Sequence, residues 1–158
     1  MFTDAVPTGS RALTVSSRTV HILCGEDNME STQVERIVAA LVRAAEHERL
    51  VPYQQFHALF NAGDPLTARY EALEQAVVSL CENSAPDYGV LLALCSGLPG
   101  DDFFRRFRKY RYDDFVAAMG ATVHWRSIKR RRMLVDAERR RVYDDAKRRA
   151  ALRVVQMA

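Results

Sequence analysis

Residues 103–112 read Phe-Phe-Arg-Arg-Phe-Arg-Lys-Tyr-Arg-Tyr, so aromatic rings stand beside cations at almost every step. Rings next to guanidinium groups suit stacking on unpaired bases while the cations hold the phosphate backbone. On that chemistry Arg105, Arg106, Arg108, Lys109 and Arg111 are candidate nucleic-acid contacts. Helical spacing offers a competing reading, in which Phe103, Phe107 and Tyr110 share one buried face and the arginines form a solvated outer face. A second basic block holds Arg126, Lys129, Arg130, Arg131, Arg132, Arg139 and Arg140, followed by Arg141, Lys147, Arg148 and Arg149. Consecutive triplets cover most of a helix circumference, so some of these side chains must face whatever the helix packs on. Arginine dominates lysine, and its planar fork suits phosphates and carboxylates alike. Where such groups neutralise phosphates, affinity for duplex DNA falls with a log–log salt slope of about 0.9 per contact.

Other chemistry is sparse. His21, His47, His57 and His124 never stand at HxxxH or HExxH spacing, there is no CxxC, and GxSxG, Walker A and GxGxxG sequences are absent. Cys81 can be paired with His57 on paper, but a thiol on an apolar helix face is packing unless its surroundings activate it. The aspartate pairs 101/102, 113/114 and 144/145 point about 100° apart on a helix, which favours caps and surface ion pairs over acid–base catalysis. No catalytic residue, metal or cofactor is assigned, and an enzyme is the least supported class. It would need a pocket of convergent polar groups at the 88–104 turn.

Charge divides the chain. Residues 1–103 carry 6 Lys/Arg against 14 Asp/Glu, net −8, and residues 104–158 carry 17 against 6, net +11. The C-terminal third is a polycation that phosphates, an acidic partner or the acidic first part of the chain must answer. With 158 residues, 48% of them hydrophobic, the chain can bury one core without staples. Cys24, Cys81 and Cys95 are odd in number and scattered in apolar surroundings, as expected of free thiols in a reducing compartment. Met1–Gly9 does not resemble a signal peptide, and no run of roughly 18 apolar residues occurs, so a cytoplasmic protein with no membrane partner is expected.

Several elements must position these groups. Residues 1–30 read as an N-terminal arm or a small hairpin around Leu13/Val15 and Val20/Ile22/Cys24. Residues 31–120 read as a helical core domain. Within it Val34, Ile37, Val38, Leu41, Val42 and Ala45 make an amphipathic helix over 31–49, opened by a Thr32/Glu35 capping box. Pro52 starts a short second helix with Tyr53, Phe56, Leu59 and Phe60 inward, ended by Asn61-Ala62-Gly63. Asp64 and Pro65, as N-cap and first helical residue, open a third helix to about Glu82 on Leu66, Tyr70, Leu73, Val77 and Leu80. The apolar run 88–95 reads as a buried strand, with a helix as the alternative, and 96–100 as a turn. Asp101 and Asp102 then cap a helix, and another with Tyr112, Phe115, Val116 and Met119 stops at Gly120. Residues 121–158 form the basic C-terminal helix. From about His124 to Val155 it would run roughly 50 Å at about 1.5 Å per residue, with a seam of Ile128, Val135, Val142, Ala146 and Ala150. Asp136/Arg140, Asp144/Arg148 and Asp145/Arg149 stand in the favourable order for ion pairs along it. Part of this helix is expected to dock on the core, and the remainder to protrude or pair with a second copy.

Three short helices followed by a strand, a Gly/Pro turn and a basic element resemble a winged helix, and Leu50-Val51-Pro52-Tyr53-Gln54-Gln55-Phe56-His57-Ala58-Leu59-Phe60 looks like the second-helix start of alkyltransferase-like winged-helix domains. The resemblance covers residues 31–100. It implies a three-helix winged-helix-like core with a short β element, and with the long basic C-terminal helix read from the pattern after Gly120 the expected fold is mainly α. The Pro-Cys-His-Arg active-site motif of that family is absent, so no alkyl-transfer chemistry is carried over. The helix in the recognition position carries Glu71, Glu74 and Glu82 with only Arg69 to oppose them, a poor face for a groove. The expectation is a non-catalytic nucleic-acid-binding protein, DNA ahead of RNA, that uses the Arg-rich C-terminal helix on phosphates. The alternative is an interaction or structural protein that forms a homodimer or docks an acidic protein partner through the same helix.

Overall fold

The computed structural model describes residues 26–81, 86–120 and 127–157. The fold is mainly α, with a two-strand β element and a long C-terminal helix, as expected. The elements run α1 (Glu26–Glu46), β1 (Val51–Pro52), α2 (Tyr53–His57), α3 (Leu66–Leu80), a 3₁₀ helix (Tyr88–Leu91), β2 (Leu92–Ala93), α4 (Asp101–Tyr110), α5 (Tyr112–Met119) and α6 (Ile128–Met157). The hairpin proposed around Leu13 and Val20 lies outside the described residues.

Helix α1 buries Ile37, Leu41 and Ala45 and half-buries Val34, Val38 and Val42, so its apolar stripe does what the spacing predicts. It begins earlier than expected. Thr32 and Glu35 lie inside the helix rather than capping it, because the helix already starts at Glu26. The C-terminus closes with Glu48 N–H donating to the Ala45 carbonyl at 3.1 Å and Arg49 N–H to the Ala44 carbonyl at 2.8 Å. Glu48 takes φ = 52°, the left-handed position that glycine usually fills in such a stop.

Asp64 does not cap α3. Its carboxylate accepts from the Asn61 N–H at 2.9 Å, Pro65 occupies the N-cap position, and Leu66 is the first helical residue. Leu66 is exposed, while Ala72, Leu73, Ala76, Val77 and Leu80 face the core. The expected strand over 88–95 is also corrected. Asp87 accepts from the Gly89 N–H at 2.8 Å and winds Tyr88–Leu91 into a 3₁₀ helix, leaving only Leu92 and Ala93 extended. These two pair in parallel with Val51 and Pro52. Periodicity cannot separate the two outcomes in a run buried on every side.

Helix α4 turns Phe103, Phe104 and Phe107 inward, with rings 5.1 and 5.6 Å from Phe103. Tyr110, expected beside them, is 55% exposed. Helix α6 spans 30 residues, about 45 Å at about 1.5 Å per residue. Its Leu134, Val135, Val142 and Ala146 belong to the same core as α1, α3 and the 3₁₀ helix. Ile128 is exposed, and residues 151–156 are exposed throughout. No described helix is long and apolar enough to cross a membrane.

Candidate nucleic-acid interface

The predicted cations separate into two populations. Arg106 is buried and grips Asp87 with both arms of its guanidinium, Nε at 2.7 Å and Nη2 at 3.0 Å, with Asp102 at 3.8 Å from Nη1. The reading of this residue as part of a solvated face is corrected by its position between α4 and the 3₁₀ helix. A Cβ on Gly89 would fall inside van der Waals contact of the same guanidinium, so glycine is required there by close approach. Asp102 also accepts from the Tyr53 hydroxyl at 2.6 Å, and that hydroxyl accepts from the Gly100 N–H at 3.0 Å. Burial first, and then the bond to Asp102, push the Tyr53 phenol well up, which keeps it a neutral donor.

Arg111, at the junction of α4 and α5, spans Asp114 at 2.6 Å and Glu138 at 2.7 Å, with its guanidinium 4.4 Å from the centre of the Phe107 ring. Glu138 is 2% exposed and accepts from the Asp87 N–H at 2.8 Å, from Arg111 and from Arg141 at 3.3 Å. A carboxylate so buried is tolerable only with its lone pairs occupied by charged or backbone donors. Arg139 forms no ion pair among the described residues. It donates to the carbonyls of Val90 at 3.2 Å and Gly97 at 2.8 Å, and burial lowers its pKa. Arg149 bonds Asp145 at 2.7 Å and the Leu80 carbonyl at 2.7 Å, and the Tyr88 hydroxyl donates to Asp145 at 2.9 Å.

Further out, Arg130 donates to the Met119 carbonyl at 2.9 Å, Arg131 pairs with Asp101 at 3.2 Å over the Phe104 ring, and Lys109 pairs with Glu74 at 3.0 Å. Of the three anticipated i,i+4 ion pairs on α6, Asp145–Arg149 forms. Arg140 bonds the Asp136 carbonyl instead of its carboxylate, and Arg148 turns to Asp145 at 3.4 Å.

The second population is open. Arg105, Lys129 and Arg132 are exposed and form no ion pair among the described residues, and Arg140 holds only a carbonyl of its own helix. Lys129, Arg132 and Arg140 fall on one outer stripe of α6. Arg108 is exposed, 6.0 Å from the Phe115 ring centre. Arg126 lies outside the described residues, as do His21, Cys24 and His124.

A cavity of about 250 Å³ adjoins the Asp87–Arg106 pair, with Cys81, Phe107 and Tyr110 in its wall. Its chemistry is spent internally. Both Asp87 oxygens are engaged by Arg106 and Gly89, so no free base faces the cavity. Burial, reinforced by Asp87, pushes the Cys81 thiol up to about 11, the opposite of nucleophile activation. Among the described residues no group of three His, Cys, Asp or Glu side chains converges as a metal site.

Of the polar residues that organise this region, Asp87 and Glu138 carry no role in the sequence pattern, whereas Tyr53 is legible there only as an inward ring and Asp145 only as the ion-pair partner of Arg149. One signal for Glu138 was present. It stands three residues after Val135 and four before Val142, which puts a carboxylate on the buried seam. No known protein family, curated protein or solved structure matches this chain.

Proposed function

We propose that this is a non-catalytic, cytoplasmic nucleic-acid-binding protein, DNA being the first target, whose contact surface is smaller than its arginine content suggests. The reading is carried by the outer stripe of α6, where Lys129, Arg132 and Arg140 stand exposed with no carboxylate partner among the described residues. Arg105 and Arg108 on α4 add two further exposed cations without an ion pair among the described residues. Arg106 leaves the contact set, because breaking its buried pairing would cost more than a phosphate contact returns, and Arg111 and Arg139 leave it because their guanidinium groups are already held by the buried Glu138 and by the Val90 and Gly97 carbonyls.

Fluorescence anisotropy with generic duplex and single-stranded DNA at two salt concentrations tests this. Binding is expected to weaken with a log–log slope equal to about 0.9 per phosphate contact on duplex, and the triple variant Lys129→Glu, Arg132→Glu, Arg140→Glu is expected to abolish it. Binding that is absent at low salt, or that survives the triple variant, removes the reading.

A second reading is favoured by one observation. Leu152, Val154 and Val155, near the far end of α6, are 62%, 70% and 74% exposed. An apolar helix end of this kind suits docking on a second copy or another protein. A dimer in solution that Leu152→Glu with Val155→Glu converts to monomer supports this role; a monomer at all concentrations removes self-association.

A further inference from the structure

The geometry points to a second site, independent of α6: the cleft between α1 and the α2 region binds a small phosphorylated organic molecule of nucleotide size. The cleft has a volume of about 660 Å³, within the usual range for small-ligand sites. Arg36, Arg43 and Arg49 line it, no carboxylate does, and none of the three arginines forms an ion pair among the described residues. This is unusual for its place in the chain, since residues 1–103 carry net −8.

Helix α1 itself sorts the charges. Near its C-terminus Glu46 pairs with Arg153 and Glu48 pairs with Lys147 at 2.8 Å, so both carboxylates are drawn to α6. The arginines are left to the cleft. Attraction of cations to the negative end of the helix dipole accounts for a basic residue in the last turn, such as Arg43, but the effect fades within a turn and does not reach Arg36, ten residues before the end. The left-handed Glu48 turns the chain at the end of α1, so that Arg49 and Leu50 line the cleft while the Glu48 side chain pairs with Lys147 of α6. A non-glycine residue in this conformation is strained, and the tight stop that requires it also builds one wall of the cleft.

The lining also selects the kind of anion. Ala39, Ala40 and Ala44 make a shallow floor that lets a flat group approach the helix, and Leu50 and Leu59 offer apolar surface beside it. Three guanidinium groups match a polyphosphate better than a single carboxylate, because each fork binds two oxygens and the charges add. A planar or apolar body attached to such phosphates meets the rest of the lining.

Isothermal titration of the full chain with ATP, and with citrate as a polyanion lacking the planar body, tests this. ATP is expected to bind saturably, citrate at least about tenfold more weakly, and Arg36→Gln, Arg43→Gln and Arg49→Gln each to lower ATP affinity by about tenfold. All three side chains are exposed, so unchanged melting curves of the unliganded variants are expected and check that each folds. The α6 triple variant is expected to keep ATP binding, which separates this site from the nucleic-acid surface. Absent ATP binding, equal binding of citrate, or affinity unchanged by the three substitutions overturns the inference.

Discussion

Arg106 and Arg132 are the same residue type in the same basic third of the chain, yet one is 7% exposed and clamped on Asp87 while the other stands in solvent without an ion pair among the described residues. The difference between the buried wall of α4 and the outer stripe of α6 is one of dielectric. In the wall, a guanidinium is held by a carboxylate that has nowhere else to turn, and it ties the 3₁₀ helix to α4 as a bolt would. On the stripe, water already solvates the cation, so an ion pair there would add little and the charge remains for an external anion. A count of arginines therefore overstates the binding surface.

Breaking the wall should have the largest effect. Arg106→Ala leaves the Asp87 carboxylate buried without its counter-charge and is expected to cost about 3–5 kcal/mol in urea unfolding. A loss no larger than that of Arg132→Ala would erase the distinction between the two regions. The next effect comes from the neighbouring hydroxyl. Tyr53→Phe removes a donor to Asp102 and an acceptor for the Gly100 N–H, with an expected cost of about 2 kcal/mol in the same assay.

Acid sharpens the comparison in another way. His57 is half-buried among Tyr53, Phe56 and Tyr70 rings, with no hydrogen-bond partner for its Nδ1 among the described residues; burial first, then Arg69, lowers its pKa below 6.5. A folded-state pKa below the unfolded value means that the stability from neutral His57 is fully present above pH 6.5 and is lost as pH falls below it. His57→Phe is expected to flatten that decline in melts taken between about pH 7 and 5, and an unaltered slope would assign it to other groups. The smallest effect on stability belongs to the stripe. Lys129→Ala with Arg132→Ala should change the unfolding free energy by less than about 0.5 kcal/mol. The same pair should reduce the salt slope of DNA binding by about 1.8, two contacts at about 0.9 each.

Local pattern carried most of the architecture. The α1 stripe from Val34 to Ala45 and the Val135/Val142/Ala146 seam were readable because residues three and four apart share a helix face whatever lies opposite. The errors fall where a partner far along the chain decides. Tyr88–Ala93 became a 3₁₀ helix and a two-residue strand because Asp87 winds the first and Val51–Pro52 pairs with the second. Arg106 was misread as solvated because Asp87 lies 19 residues away.

By itself, the amino-acid sequence determined that the chain is mainly helical, that its last third is a polycation, and where the long helix runs. Only the tertiary structure decided which cations are available. It placed Asp87, Glu138 and Asp145 against Arg106, Arg111 and Arg149 and left Lys129, Arg132 and the α1 arginines without carboxylates among the described residues. The physical reason is that helix formation depends on neighbours within a turn, whereas neutralisation of a charge depends on distance in space and on exclusion of water, which no spacing along the chain records.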